Sequence, residues 1–408
     1  MKSVFKVAIV GGGYSGLILA TALKKKILSE TVIFEKTDRL GKKILSTGNG
    51  RGNLTNKIVS VENYHGEDPQ FAEYALERYP QGAVKSFFSE LGLMFVEDEG
   101  RIYPASLQAN SISDALRYKL SLTEVAVELS CEVTDVDYDD TRRLFKLITP
   151  DKTVYCETLV LAFGGCSQKQ FGTDGRSFRL ARKLGHTVTD LKPSLVQMRA
   201  SASLIKGLKG VKAQVRAYVF DGDKEIKQTM GDILFTDGGI SGNTVFNLSS
   251  YISGLKKPSV KVEFVPEISE KRLIDHLLYK KSLYPDLEAT EILGGIVHKQ
   301  IGKNIVKSAT QKRTSGALDE SDVRRIVQTV KSLNIPIDGT LGFDYSQVTH
   351  GGIRTGEIDE KTFESKIVKG LYFTGEAIDV DGDCGGYNMQ WAFSSAMCVA
   401  ENLNGKIK

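Results

Sequence analysis

Val7-Ala-Ile-Val10 followed by Gly11-Gly-Gly-Tyr-Ser-Gly16 constrains this chain more than any other stretch. The four apolar residues read as a short buried strand, and the glycines turn the chain directly into a helix predicted from Ser15 to about Ile27. Gly11, Gly13 and Gly16 satisfy the Gly-x-Gly-x-x-Gly template. The first allows a tight turn, the second a close approach of diphosphate to backbone, and the third close packing of helix on strand. The N–H groups and positive dipole end of the helix then face an anion. A second apolar strand, Thr31-Val-Ile-Phe34, ends in Glu35, 19 positions after Gly16, about where a ribose-binding carboxylate is needed.

Beyond Glu35 the chain is glycine-rich and polar from Lys36 to Asn56, hence loop. Gly48, Gly50 and Gly52 alternate there, so the backbone is expected to lie flat against a large planar ligand, with Arg51 and Asn53 as donors; the alternative is an ordinary surface loop. Residues 68–93 read as two helices, and Ser113 to about Leu122 is amphipathic. Val125–Leu129, Glu132–Tyr138, Leu144–Thr149 and Thr153–Cys156 alternate like antiparallel strands. Thr158-Leu-Val-Leu-Ala-Phe-Gly-Gly165 reads as a second central strand ending at a ligand crevice.

Composition changes near Lys192-Pro193. Residues from Ser194 to Phe264 are mostly β, and Ser269 to Asn334 are helical, in segments starting near Ser269, Asp286 and Glu320. This block has no glycine-rich phosphate loop of its own. The chain returns through Val348-Thr-His-Gly-Gly-Ile353 to the apolar strand Gly370-Leu-Tyr-Phe-Thr-Gly-Glu376, then through Gly385-Gly386 into a last long helix. Three strand-to-glycine junctions, at Gly11, Gly164 and Gly375, are expected to converge on one ligand, and FAD is long enough to need all three.

Composition sets bounds on partners. With 54 Lys+Arg against 50 Asp+Glu the net charge is +4, which gives no argument for nucleic acid. The five cysteines form no Cys-x-x-Cys pair, which argues against a zinc site or a dithiol reductase and points to a reducing cytoplasm. No apolar run approaches a membrane span.

Several longer motifs carry a resemblance: Gly41-Lys-Lys-Ile-Leu-Ser-Thr-Gly-Asn-Gly-Arg-Gly-Asn-Leu-Thr-Asn56, Gly100-Arg-Ile-Tyr-Pro-Ala-Ser106, Leu234-Phe-Thr-Asp-Gly-Gly-Ile-Ser-Gly242, Val348–Ile353, Phe363-Glu-Ser-Lys366 and Gly370 through Trp391. On these the chain resembles, nearly end to end, the YhiN-like bacterial flavoproteins, also labelled NAD(P)/FAD-dependent or aminoacetone-oxidase-family FAD-binding enzymes. The resemblance implies an α/β fold: a two-dinucleotide-binding, glutathione-reductase-type FAD domain (1–192 and 345–408), interrupted by a β-rich, barrel-like domain (193–265 and 335–344) with a helical insert (266–334). It also implies that Glu35 holds the adenosine ribose. Gly375 and Glu376 would lie beside the ribityl and phosphate end, and the helix beginning near Asn388 would face the pyrimidine edge of the flavin ring. The family usually has cysteine where this chain has Gly52, and a histidine and a proline where it has Asp237 and Asn243.

The expected cofactor contacts are Gly11, Gly13, Tyr14, Ser15, Gly16, Glu35, Lys36, Gly41, Lys43, Thr47, Gly48, Asn49, Arg51 and Asn53 in the first part of the chain. In the middle they are Val133, Ala162, Gly164 and Gly165; near the end, Gly375, Glu376, Gly385, Gly386, Tyr387, Asn388, Met389 and Gln390. His350 is the candidate acid or base, the alternative being a histidine bonded to a backbone carbonyl. Cys384 reads better as a small residue in a tight turn than as a redox thiol. The expected activity is FAD-dependent oxidation or reduction of a small organic substrate, with NADH, NADPH or oxygen as redox partner and without nucleic acid or membrane. An FAD-dependent RNA-modifying enzyme and a non-catalytic flavin-bound sensor are the alternatives.

Overall fold

The computed structural model describes residues 4–200 and 203–406. They form two compact units, one of residues up to 193 together with those from 346, the other of Ser194–Tyr345.

The first unit is built on a mixed sheet. Strand β1 (Val4–Val10) pairs in parallel with β2 (Thr31–Phe34) on one side and with β6 (Thr153–Leu161) on the other. Outside β2 lies β3 (Ala126–Glu128), also parallel. The alternation of 125–129 suggested an antiparallel partner, but Val32–Phe34 captures this segment as the edge of the parallel sheet. Strand β6 is nine residues long and fuses two stretches that read separately in the sequence. Its first half pairs antiparallel with β5 (Leu144–Ile148), which pairs with β4 (Asp135–Asp139). Its second half, Leu159–Leu161, pairs in parallel with β8 (Leu371–Phe373). β1, β6 and β8 are therefore parallel neighbours, and Gly11, Gly164 and Gly375 follow their carboxyl ends. All four residues of β2 and all three of β8 are buried, as expected for strands covered on both faces.

Helix α1 (Tyr14–Ala22) follows β1, α2 (Ala109–Ser121) packs beside it, and α3 (Tyr387–Gly405) closes the chain. α1 ends at Ala22 rather than near Ile27, with Lys25–Leu28 as a separate turn. The cause is Asn404 of α3. Its amide donates to Ala22 O (3.0 Å) and accepts from Lys24 N–H (2.8 Å), serving the backbone groups that a continuing helix would have used.

The second unit is a seven-stranded antiparallel sheet with a helical cover. Its long hairpin, Lys212–Asp221 and Lys224–Thr236, is flanked by Pro258–Glu263. Helices Glu270–Leu283, Lys299–Ala309 and Glu320–Lys331 share one core with this sheet, through residues such as Val260, Val262, Leu277 and Ile326. The middle helix starts at Lys299, not near Asp286. The intervening stretch turns at Ala289–Glu291 and Gly295, and the His298 side chain accepts from Gln300 N–H at the new start.

Candidate functional site

The carboxyl ends of β1, β6 and β8 open into a cleft that is partly open to solvent and lined wholly by residues of the first unit. Gly11 has φ +112°, and a Cβ there would lie 2.4 Å from Ala162 O, so the β1–β6 approach excludes any side chain. A Cβ on Gly16 would lie 2.1 Å from Gly11 O, which enforces glycine where α1 crosses the turn. Gly13 differs. Its φ of −75° suits any residue, and no described residue beyond its two chain neighbours comes within 4 Å of where its Cβ would sit. Nothing in the protein demands a glycine there, whereas a diphosphate lying against the backbone would. The start of α1 has no side-chain cap, so its first N–H groups are left for an anion.

Glu35 stands at the cleft edge. Its Oε2 accepts from Gly12 N–H (2.9 Å) and its Oε1 from Thr37 N–H (2.8 Å), which fixes the carboxylate while leaving each oxygen a lone pair. Beside it, Lys36 pairs with Asp174 at 2.9 Å. Farther along, Lys43 Nζ lies 2.8 Å from Glu376 Oε2, and Glu376 Oε1 accepts from Thr349 N–H at 2.9 Å. Strand β7 (Val348–His350) is thus tied to the β8 exit, and Thr349 Oγ1 also accepts from Cys166 N–H (2.7 Å). Burial, with the Glu376 charge beside it, pushes the Cys166 thiol up to about 11, so it stays protonated near neutrality.

Of the sequence-derived candidates, the cleft brings together Gly11, Gly13, Tyr14, Ser15, Glu35, Lys36, Gly41, Lys43, Thr47, Val133, Ala162, Gly164, Glu376, Asn388 and Met389. Gly16, Gly48, Asn49, Arg51, Asn53, Gly165, Gly375, Gly385, Gly386, Tyr387, Gln390 and His350 do not line it. Lys42–Gly50 coils into compact 3-10 turns instead of lying flat. Arg51 turns to Asp98 (3.0 Å) and stacks its guanidinium over Tyr103. Gly52, with φ +78°, packs against α2, where a Cβ would meet Ile112 Cδ1 at 2.6 Å. Gln390 is fully buried and bonds Thr55, Tyr79 O and Ser394. Gly386 lets α3 start against Thr55, whose carbonyl oxygen would be 2.5 Å from a Cβ. Trp391 is core, edge-on to Phe71, but its Nε1 donates to Gly375 O and it reaches the cleft wall.

Sequence reasoning missed the loop that supplies Phe163, Phe171, Gly172 and Thr173 to the lining, and also Thr37 and Cys131. The available signal was Gly172-Thr-Asp-Gly175, a turn cluster directly after the Gly164-Gly165 strand exit. No His, Cys, Asp or Glu group among the described residues could hold a metal ion. No helix among them is long and apolar enough to cross a membrane.

An uncapped helix start, an open glycine, an anchored acid and a mostly apolar cleft fit the diphosphate, ribose and ring of FAD. Fold and cleft together define a Rossmann-type FAD-binding protein that carries an additional antiparallel sheet domain. More narrowly, residues 5–402 match the family described as HI0933-like protein Rossmann domain, and the chain belongs to that family. It is similar to the 3-dehydro-bile acid delta(4,6)-reductase of Clostridium scindens, 34% identical over 96% of this chain and 97% of that one. It is also similar to the ribosomal RNA dihydrouridine synthase of Haemophilus influenzae, 30% identical over 97% and 98% of the two chains. Among solved structures, the 3-ketosteroid delta1-dehydrogenase of Sterolibacterium denitrificans shares the fold, with a TM-score of 0.53 at 12% identity, covering 99% of this chain and 100% of that one. The protein is an FAD-dependent oxidoreductase.

Proposed function

We propose that this protein is an FAD-dependent reductase that saturates a carbon–carbon double bond conjugated to a carbonyl in a small organic molecule, with NADH or NADPH as electron donor. The observation that carries this reading is the pairing of its two named relatives, each matched over nearly the whole chain. One acts on a 3-dehydro-bile acid and the other makes dihydrouridine. A 3-oxo-4-ene and the C5–C6 bond of uracil share one feature, an alkene in conjugation with a carbonyl. Both reactions add a hydride to one carbon and a proton to the other.

Bound in the cleft, FAD supplies a two-electron carrier that takes up hydride from a donor and passes it to an acceptor. The chain's own part is binding and orientation. Gly13 and the first turn of α1 hold the diphosphate, and Glu35 holds ribose hydroxyls. Glu376, kept in place by Lys43 and the Thr349 amide, accepts from ribityl or ribose hydroxyls. The start of α3, which places Asn388 and Met389 in the lining, favours negative charge at the ring.

RNA as substrate is the second reading, and the Haemophilus relative favours it. The small molecule takes precedence because the bile-acid reductase is the more similar of the two, 34% against 30% identical. Anaerobic protein reconstituted with FAD is expected to lose its visible flavin band on addition of NADH or NADPH. The band should return on addition of a 3-oxo-4-ene steroid, with a product heavier by two hydrogens. Return of the band with ribosomal RNA but not with the steroid would move the assignment to the second reading. Failure of both acceptors would refute the proposal.

A further inference from the structure

His350 ends β7, two residues after Val348, and residues two apart on a strand share a face. Val348 lines the cleft, and His350 itself stands outside that lining. His350 Nδ1 lies 2.8 Å from Asp381 Oδ1. The Asp381 side chain is 1% exposed, against 26% for His350, and its Oδ2 has no hydrogen-bond partner among the described residues. The next residue, Gly382, is gripped at both backbone groups by the Asn388 side chain (2.8 and 2.7 Å), and Asn388 also lines the cleft. The dyad is thus joined to the cleft from two directions, along β7 and through Asn388. Asp381 is held from a third side by antiparallel pairing with His65.

An ionised carboxylate only accepts, so Asp381 fixes the imidazole proton on Nδ1 and leaves Nε2 as the nitrogen that exchanges a second proton. The charged groups facing His350 are Asp381, Asp379 and Lys192. The Asp381 hydrogen bond holds the His350 imidazole above its ordinary range; burial and Lys192 oppose this without reversing it. Burial also raises Asp379, which is 1% exposed and whose Oδ1 has no partner among the described residues.

We propose that His350 is the proton donor of the reduction and that Asp381 is its positioning residue. This rests on the reductase reading above. The Nε2–H bond breaks, and the proton joins the carbon next to the carbonyl, taking the π electron pair. The electron pair for the other carbon is the hydride that a nicotinamide-reduced flavin delivers. The alkene is reduced by two electrons, the flavin is oxidised by two, and neutral His350 regains its proton from water.

The test separates the two halves of the reaction. FAD-loaded protein is reduced anaerobically with dithionite and mixed with 4-androstene-3,17-dione from about pH 5 to 8, the range over which an imidazole changes charge. The rate of flavin reoxidation is expected to fall as pH rises through the His350 titration. His350→Gln should lower that rate by roughly 10²- to 10⁴-fold and flatten the profile. Asp381→Asn should move the falling limb to lower pH, and Asp381→Glu should restore it. A flat wild-type profile, or an unchanged rate in His350→Gln, overturns the proposal. So does an Asp381→Glu limb that stays with Asp381→Asn while both hold FAD, since that assigns Asp381 a packing role.

A second measurement needs no substrate. NMR titration of the five histidines, with His350 identified by the signal missing in His350→Gln, should place it above the free-imidazole value of about 6.5. Titration at or below that value overturns the dyad. A wild-type flavin that no enone reoxidises, beside a raised His350 titration, instead refutes the reductase reading.

Discussion

Gly13→Val is the substitution that best separates a ligand-made requirement from a protein-made one. The position has φ −75° and ψ −167°, an extended conformation valine adopts freely, and no described residue beyond its two chain neighbours comes within 4 Å of a Cβ there. The cofactor-free protein should therefore change by no more than about 0.5 kcal/mol, the usual scale for a substitution that touches nothing. Gly16→Ala is the internal contrast. Its Cβ would sit 2.1 Å from a backbone oxygen, Gly11 O, which cannot rotate away. Overpacking of this sort costs about 1–3 kcal/mol, which lowers Tm by roughly 2–12 °C for a domain of this size. FAD affinity should behave in the opposite way. Valine at 13 fills the space of a diphosphate and removes about two charge-assisted N–H hydrogen bonds, each worth about 1.5–3 kcal/mol. The loss is then roughly 3–6 kcal/mol, or about 10²- to 10⁴-fold in Kd. Flavin-fluorescence titration and thermal melts of the cofactor-free proteins measure the two quantities side by side. A Gly13→Val protein that binds FAD as wild type does, or that melts several degrees lower without FAD, would refute the reasoning.

Glu376→Ala strips Lys43 of its carboxylate and the Thr349 amide of its acceptor; it should weaken FAD roughly ten- to a hundredfold, and Glu376→Gln less, because its amide oxygen still accepts. FAD titration decides this, and unchanged affinity with a large loss of Tm in both would make Glu376 purely structural. Tyr14 is buried and its hydroxyl has no partner among the described residues. Tyr14→Phe should therefore leave the Tm of the cofactor-free protein unchanged or raise it, and a fall of several degrees would show a hydrogen bond that the hydroxyl does make. The His350–Asp381 pair predicts a pH dependence of stability. His350 is raised in the folded state, so the pair's contribution is fully present below about pH 6.5 and is lost as pH rises through the folded value. The Tm difference between wild type and Asp381→Asn should accordingly shrink with rising pH, and a difference that grows would contradict the dyad.

Much of the cleft was legible because its determinants are local. Gly11, Gly13 and Gly16 lie within six residues, and Glu35 follows at the end of the next strand, so spacing alone carries their placement. Where a feature depends on a distant partner, periodicity had nothing to read. Asn404 stops α1 from 380 residues away. Gln390 looked like a cofactor contact at a helix start, yet its amide closes a buried network with Thr55 and Tyr79. Arg51 and Gly52 looked free to meet a ligand because Asp98, Tyr103 and α2, which occupy them, are remote in the chain.

The two kinds of glycine sharpen the same point. A glycine pattern in a sequence does not say whether backbone or ligand imposes it. In this structure Gly11, Gly16 and Gly386 are each imposed by a carbonyl oxygen closer than 3 Å to the missing Cβ, so their absence of side chains concerns folding. Gly13 has no such neighbour. It sits at the uncapped start of α1, in a cleft where the Glu35 carboxylate is already fixed by backbone amides. The unexplained glycine and the uncapped helix are two independent gaps in the protein's own economy at one place, and one anion against the backbone fills both. His350 and Asp381 make the complementary case. A separation of 31 positions hid their pairing from any spacing rule, but Val348, two positions before His350, and Asn388, which grips Gly382 beside Asp381, both line the cleft. The expected diphosphate end of the site is thus written in contiguous sequence, Gly11 to Gly16. On the proposal above, the acid–base pair comes from the return of the chain through β7, so a change of substrate acts there without disturbing the Gly11–Gly16 fingerprint.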